Sequence, residues 1–190
     1  MVSFISKIFV CADLHFSHKN IIKYENRPFE DIHDMNKQLV RNWNRVVKKD
    51  DIVFVLGDVS FASRRITREL VTKLNGHKRL IMGNHDRDRS VQKWMDIGFE
   101  WVSPFPVIIN EYCVLMHEPP QYFNDACPYF YVYGHVHGTA DYASHTEHSA
   151  CVSIERLDYT PALLEDVLSG AAYQNRKELT NGQKVLEVPC

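Results

Sequence analysis

The sequence lacks any apolar run long enough to cross a membrane or to form the core of a secretion signal. Only short apolar stretches precede Asp13, and polar residues interrupt those that follow. A membrane-spanning helix needs about 20 consecutive, mostly apolar residues. We therefore expect a cytoplasmic protein with no membrane partner.

Cysteine is scarce, and the few cysteines are not closely spaced. The chain has five of them, an odd number: Cys11, Cys113, Cys127, Cys151 and Cys190. A disulfide framework uses paired cysteines, and a thiolate zinc site uses close pairs such as Cys-x-x-Cys. Both are disfavoured, and we expect mostly reduced cysteines.

The chain also lacks an excess of positive charge, internal repeats and low-complexity segments. Its formal net charge is -2 and its pI is about 6.5. General affinity for nucleic acid or anionic membranes is therefore not indicated, and any affinity for phosphate must be local. With 190 residues, of which 45% are hydrophobic, one core is expected. We predict a single domain over residues 1–168 and an extension of uncertain structure over residues 169–190.

The first half of the chain alternates predicted strands with predicted helices. Residues 7–12 and 51–56 contain several β-branched side chains, and residues 78–82 end in the apolar run Leu-Ile-Met; these three segments predict three neighbouring central strands. Helical spacing of apolar residues begins after Asp34, a candidate helix cap, and recurs around Leu70. This order predicts a sheet covered by crossover helices.

The second half predicts short strands with Pro, Asn and Gly between them. The runs are residues 99–102, 107–109, 112–116, 129–133 and 151–154. A second sheet packed on the first is their expected place. Residues 161–168 predict a closing helix.

Side chains that bind metal ions follow five of the apolar runs. They are Asp13, His15, Asp58, Asn84, His117, His135 and His137. Strand ends can aim ligands accurately, and this mixture of oxygen and imidazole donors suits a pair of divalent ions. The sequence therefore predicts a two-metal site.

The spacing within this set supports the prediction. Asp13 and His15 are two residues apart, so on extended backbone both side chains leave on the same side. His135 and His137 repeat this spacing. A glycine precedes Asp58, as it precedes Asn84 and His135, and would permit a sharp change of direction. Asp58, with two carboxylate oxygens, is the best candidate to bridge the ions.

Two cations roughly 3.5–4 Å apart would polarise P–O bonds, lower the pKa of a shared water and hold it in line for attack. A metal-bridging hydroxide is therefore the expected nucleophile. The leaving oxygen needs a proton, which we expect His85 to supply, with Asp86 as its orienting carboxylate. The donors admit manganese, iron, zinc or nickel.

Together these motifs resemble the signature of the calcineurin-like metallophosphoesterases. The matching segments are Asp13-Leu-His15, Gly57-Asp58, Gly83-Asn84-His85-Asp86, His117 and Gly134-His135-Val-His137. The resemblance implies an α/β fold, a four-layer α/β/β/α sandwich of two packed mixed sheets with a dinuclear site at the strand ends. It also supports, together with the donor types, manganese as our first expectation for the metal, and it implies the ligand sets. One ion takes Asp13, His15, Asp58 and His137, and the other takes Asp58, Asn84, His117 and His135.

The first half resembles a smaller branch of compact predicted phosphoesterases from bacteria and their phages. The resemblance rests on Asp13-Leu-His-Phe-Ser-His-Lys-Asn-Ile-Ile and Asn26-Arg27-Pro28-Phe29. His18, Asn20 and Arg27 follow the first ligands and are candidate contacts for a substrate phosphate. Equally, Asn20 could be a turn or cap residue and Arg27 half of a surface ion pair.

Three functions remain open. The leading one is a metal-dependent phosphoesterase, either a phosphodiesterase or a phosphatase, that hydrolyses a small ester, expected to be a nucleotide because no insertion would cover the site. The second is a nuclease or nucleic-acid end-processing enzyme that uses the same site. The third is a binding module on the same fold that has lost catalysis, which the full set of ligands disfavours. The sequence does not indicate an oligomeric state.

Overall fold

Two mixed β-sheets form the framework of the protein. The computed structural model describes residues 6–121 and 127–174. One sheet contains β1 (Ile8–Cys11), β2 (Ile52–Val55), β3 (His77–Ile81), β4 (Trp101–Ser103) and β9 (Ala162–Leu163), in the order β4-β3-β2-β1-β9. The other contains β5 (Val107–Ile109), β6 (Cys113–Leu115), β7 (Phe130–Tyr133) and β8 (Ser149–Cys151), in chain order.

Parallel pairing brings the functional strand ends together. In the first sheet β1, β2, β3 and β4 run parallel, and in the second sheet β6, β7 and β8 do. β9 and β5 are the antiparallel strands at the sheet edges. The prediction of three neighbouring central strands is therefore confirmed, because β1, β2 and β3 lie side by side.

Five α-helices accompany the sheets among the described residues. They are α1 (Lys19–Tyr24), α2 (Ile32–Val46), α3 (Arg64–Val71), α4 (Val91–Ile97) and α5 (Leu164–Leu168). α2 buries Met35, Leu39 and Trp43, which recur four residues apart on one face. Its cap is Asp31 rather than the expected Asp34. The Asp31 carboxylate accepts the backbone N–H groups of residues 33 and 34 at 2.8 and 2.9 Å.

Two expectations about the second half are corrected. The run at residues 99–102 forms β4, which pairs with β3 in the first sheet and not with the short strands that follow. Residues 161–168 do not form one helix. Ala162 and Leu163 instead pair with Val10 and Phe9 as the edge strand β9, and α5 begins at the next residue. An open edge on β1 favours pairing there because it satisfies backbone groups that would otherwise remain unpaired.

One hydrophobic core joins the two sheets. Val10, Val53, Leu115 and Val132 are fully buried and belong to the same cluster, although they come from different sheets. Backbone hydrogen bonds connect the sheets where β1 and β8 end: Ala12 donates to the Val152 carbonyl at 2.8 Å. The expected α/β fold of two packed mixed sheets is confirmed.

Two further expectations can be compared with the described residues. Within them no helix has the length and apolar character needed to span a membrane. Four cysteines there are free thiols: Cys11, Cys113, Cys127 and Cys151. Cys190 and most of the expected C-terminal extension lie outside the described residues.

Candidate metal centre

Two groups of metal-ligand side chains lie at the carboxyl ends of strands from both sheets. Asp13, His15 and His137 form one group, in which the donor atoms lie within 4.8 Å of one another. Asp58, His117 and His135 form the other by the same measure. The structure therefore brings together six of the seven predicted ligands, and Asn84 lies beside the second group.

In the first group, two buried atoms of the kind that bind metal ions have no hydrogen-bond partner among the described residues. They are Oδ1 of Asp13 and Nε2 of His15. The other oxygen of Asp13 accepts from the backbone N–H of His135 at 2.8 Å and from the hydroxyl of Ser153 at 2.6 Å. Leaving polar atoms buried and unpaired is costly. A cation that both atoms bind would remove this cost, so these residues fit a metal ion.

The charge states of His15 and Asp13 suit the same role. Burial, together with nearby His137 and Arg27, lowers the pKa of His15 far below its usual value, so the ring is neutral, as a metal ligand must be. Burial raises the pKa of Asp13 to about 6, although His137 and His117 oppose the rise. This carboxylate is thus poorly solvated, and a cation would stabilise its charged form.

Asp58 lies between the two groups. Its Oδ2 is 3.6 Å from Nε2 of His15, and its Oδ1 is 3.6 Å from Nε2 of His117. The backbone N–H of His85 also donates to Oδ1, at 3.1 Å. Because each carboxylate oxygen faces a different group, Asp58 has the geometry expected of a bridging ligand.

The second group shows which ring nitrogen of His117 faces the site. Its Nδ1–H donates to the carbonyl of Leu56 at 2.7 Å, since a carbonyl can only accept. In the neutral ring Nε2 then carries the lone pair that can bind a metal ion. That atom lies 2.9 Å from Oδ1 of Asn84 and 3.2 Å from Nδ1 of His135, and the last two atoms are 3.1 Å apart. Three ligand-type atoms therefore converge beside Asp58.

A buried ion pair supports His137 from behind. Nδ1 of His137 lies 3.1 Å from Oε1 of Glu155, and the same oxygen accepts from Arg27 at 2.9 and 2.6 Å. Burial raises the pKa of Glu155, but Arg27 and His137 outweigh that effect and lower it. Burial lowers the pKa of His137, whereas Glu155 and Asp13 raise it to about 9. A carboxylate behind a ligand histidine fixes which ring nitrogen faces the metal, here Nε2.

Arg27 is therefore not a substrate contact as predicted. Its side chain is fully buried, and besides Glu155 it donates to the backbone carbonyls of Leu14 and Asp13 at 2.9 and 2.8 Å. All of these partners are structural, so the guanidinium holds the loop that carries the first ligands. The sequence did not indicate Glu155 or Ser153. Each contacts its partner, Arg27 or Asp13, across more than a hundred positions of the chain.

Most ligand residues adopt a strained backbone conformation. The φ angles of Asp13, His15, Asp58, His135 and His137 are 58°, 49°, 55°, 69° and 47°. Non-glycine residues rarely adopt positive φ, and such strain costs of order 1–3 kcal/mol per residue. The expectation of extended backbone from Asp13 to His15 is therefore wrong, although both side chains still reach one group. Strain at so many ligands is typical of a functional site.

The glycines before the ligands are needed for two different reasons. Gly57 has a φ of +85°, which suits the expected turn, and a Cβ there would also collide with Nδ1 of His117. At Gly83 the reason is space alone: a Cβ there would collide with Oδ1 of Asp58 and lie 2.9 Å from Cε1 of His117. Gly134 is similar, since a Cβ would collide with Ala12.

We expect Gly83→Ala to weaken metal binding by about tenfold or more, because the new methyl group must displace Asp58. A calorimetric titration of the purified protein with metal measures this loss of affinity. Gly98→Ala is the control: it strains a positive φ of 129°, but the added Cβ meets only Val71 and Thr72. It should reduce thermal stability and leave metal affinity unchanged. Equal metal affinity in the wild type and Gly83→Ala would contradict the prediction.

Asp86 has a role other than the one predicted. Its carboxylate is 1% exposed and accepts the backbone N–H groups of Asp58, Gly83 and Val59 at 2.8, 2.9 and 3.0 Å. These bonds tie the loop after β2 to the loop after β3. The expectation that Asp86 orients the His85 ring is therefore corrected, because its oxygens are committed to the backbone.

The remaining predicted residues lie around the mouth of the centre. The His85 side chain is exposed, and its ring centroid is 5.9 Å from that of His15. His18 is half-buried, with its Nδ1 3.4 Å from Nδ1 of His15. Asn20 is exposed in α1, one residue after the helix begins, so the structure places it in the helix and not in a turn. His85 and His18 thus adjoin the ligands directly.

Two packed mixed sheets with Asp and His ligand groups at their strand ends define a metal-binding α/β protein. The sequence profile of the calcineurin-like phosphoesterases matches residues 6–170, and the chain belongs to that family. Family membership supports metal-dependent hydrolysis of phosphate esters as the general chemistry.

Sequence relatives occur in an archaeon and in a mycobacteriophage, and a bacterial protein shares the fold. The uncharacterized protein MJ1445 of Methanocaldococcus jannaschii is 35% identical over 167 residues, which are 84% of this chain and 88% of that protein. The gene 66 protein of Mycobacterium phage L5 is 36% identical over 84 residues, 43% of this chain and 40% of the phage protein. The crystal structure of AQ665, a protein of unknown function from Aquifex aeolicus, matches with a TM-score of 0.66 and 22% identity, over 86% of this chain and 98% of that one. These matches are consistent with the small branch expected from the sequence.

Proposed function

We propose that the protein is a metal-dependent phosphoesterase that hydrolyses a small phosphomonoester or phosphodiester at a dinuclear centre. The observation that carries the proposal is the position of Asp58, whose two oxygens face His15 and His117 at 3.6 Å each. One ion would be held by Asp13, His15, Asp58 and His137, and the other by Asp58, Asn84, His117 and His135. Two bound cations would polarise the phosphate oxygens and activate water for attack on phosphorus.

The chain itself supplies a candidate general acid. His85 is exposed beside the ligands, and its backbone N–H, which donates to Asp58, fixes the start of the side chain. A histidine in this position can give a proton to the leaving oxygen of the ester. Because Asn84, His85 and His135 are all exposed, the centre is open, and this openness favours small substrates such as nucleotides.

Oxygen and nitrogen donors without sulfur admit manganese, iron, zinc or nickel, and manganese is the first choice. The test is a hydrolysis panel with metal-stripped protein, reconstituted with each metal in turn. The substrates are a monoester, a diester and cyclic nucleotides. We expect hydrolysis that depends on added metal and disappears with a chelator. If no metal restores hydrolysis of any of these esters, the proposal fails and the non-catalytic binding module becomes the better account.

The nuclease alternative would need arginines free to contact a polyanion, and three candidates, Arg64, Arg65 and Arg89, are engaged within the protein. Arg64 pairs with Asp96 at 2.7 Å and Arg65 with Glu69 at 2.5 Å. Arg89 packs over Trp94 and donates to the carbonyl of Ala62 at 2.6 Å. These cations are balanced or engaged within the protein, so they do not form a free stripe for a polyanion.

A further inference from the structure

Three aromatic side chains form a wall beside the metal centre, which we name the aromatic wall: Phe61, His18 and Tyr24. Phe61 follows β2, His18 precedes α1, and Tyr24 ends α1. The rings of Phe61 and His18 are stacked, with centroids 4.0 Å apart, and Tyr24 meets His18 edge-on at 6.3 Å. Phe61 is 43% exposed and Tyr24 is 68% exposed.

Backbone contacts hold Phe61 in this exposed position. Its N–H donates to the carbonyl of Phe16 at 2.9 Å, in the loop that carries the first ligands. The next residue, Ala62, donates to the hydroxyl of Ser60 at 3.1 Å and accepts from Arg89 at 2.6 Å. The backbone around Phe61 is therefore fixed, and its partly exposed ring lies beside the metal centre, where exposed apolar surface can serve as part of a ligand-binding site.

The wall adjoins the groups proposed to carry out the chemistry. The Phe61 ring centroid is 4.8 Å from that of His85 and 5.2 Å from that of His15. These distances are short enough for one small molecule to place its phosphate at the metal centre and its flat ring against the wall. Purine and pyrimidine bases stack on aromatic side chains with little dependence on base identity.

We propose that Phe61, supported by His18, is the base-stacking subsite of this centre, and that the substrate is a nucleotide whose base lies against the wall. This inference rests on the proposed phosphoesterase function, since it names the substrate class of the same site. It assigns Phe61 to specificity, and it predicts that the affinity gained from the base is lost when the ring is removed.

Calorimetric titration of the manganese-loaded full chain tests the subsite without requiring turnover. The two probes are AMP and ribose 5-phosphate, which share a phosphate and a pentose and differ by the base. We expect the wild type to bind AMP about five- to a hundredfold more tightly. Phe61→Leu should remove most of that difference, and Phe61→Trp should preserve it.

Tyr112→Leu is the matched control, because Tyr112 is also 43% exposed but precedes β6, at the opposite end of that strand from His117. It should leave both affinities unchanged. Equal wild-type affinities for AMP and ribose 5-phosphate, or no binding of AMP, would overturn the proposal. So would equal losses for both probes in Phe61→Leu, which would mean that the ring only supports the ligands. A protein that binds AMP through Phe61 but hydrolyses no ester would refute the proposed function and leave the subsite standing.

Discussion

Replacement of His85 by alanine is expected to lower kcat about 100- to 10,000-fold while both metal ions stay bound. The metal ions should stay bound because the His85 ring belongs to neither ligand group, and because the variant keeps the backbone N–H that donates to Asp58. Steady-state kinetics with metal-defined protein measures kcat, and elemental analysis of the same sample measures bound metal. The loss should be smaller for a 4-nitrophenyl ester than for an alkyl ester, because 4-nitrophenolate leaves without protonation.

The matched control for this prediction is His77→Ala. His77 is exposed and begins β3, the strand whose other end leads to His85, and it pairs with Glu100 at 2.8 Å. Its loss should leave kcat unchanged. Unaltered turnover in His85→Ala would contradict the role of general acid, and loss of metal would mean that His85 is a ligand.

Replacement of Arg27 by alanine is expected to lower the free energy of unfolding by about 3–5 kcal/mol, because it leaves the buried Glu155 carboxylate without its arginine partner. The side chains of this pair are 0% and 2% exposed. The variant also loses the donors to the carbonyls of Asp13 and Leu14. Urea unfolding of metal-free protein, followed by circular dichroism, measures the change.

Arg65→Ala provides the comparison for this ion pair. Arg65 pairs with Glu69 at the surface, with side chains 77% and 53% exposed. Such a pair contributes no more than about 1 kcal/mol. If Arg27→Ala does not fold, Arg27→Lys keeps the charge but, with three N–H donors, cannot make all five hydrogen bonds of the guanidinium, and should be destabilised by less. Equal stability of wild type and both Arg27 variants would refute the structural role.

The order of the ligands along the chain was informative because strand ends are easy to recognise. A short run that ends in apolar residues and is followed by Asp or Gly predicts a parallel strand and its functional loop, and β1, β2 and β3 follow that rule. Parallel strands necessarily present their carboxyl ends at one edge. Candidate ligands on those ends therefore had to lie close together, and the structure brings them there.

The local geometry could not be predicted in the same way. Residues such as Asp13 and His137 hold positive φ only because surrounding contacts impose it, and propensity alone would not place them there. Arg27 looked like a surface residue because its partner, Glu155, lies 128 positions further on. The place of β4 in the first sheet likewise depends on long-range pairing that the short run at residues 99–102 does not encode by itself.

The central claim is that separate loops converge on two adjacent cations that share Asp58. Elemental analysis of manganese-reconstituted, gel-filtered protein tests it most directly, with Asp58→Asn analysed in parallel. We predict close to two ions per chain in the wild type and fewer than one in the variant, since Asp58 faces both ligand groups. No stoichiometric metal in the wild type, or two ions retained by Asp58→Asn, would contradict the account.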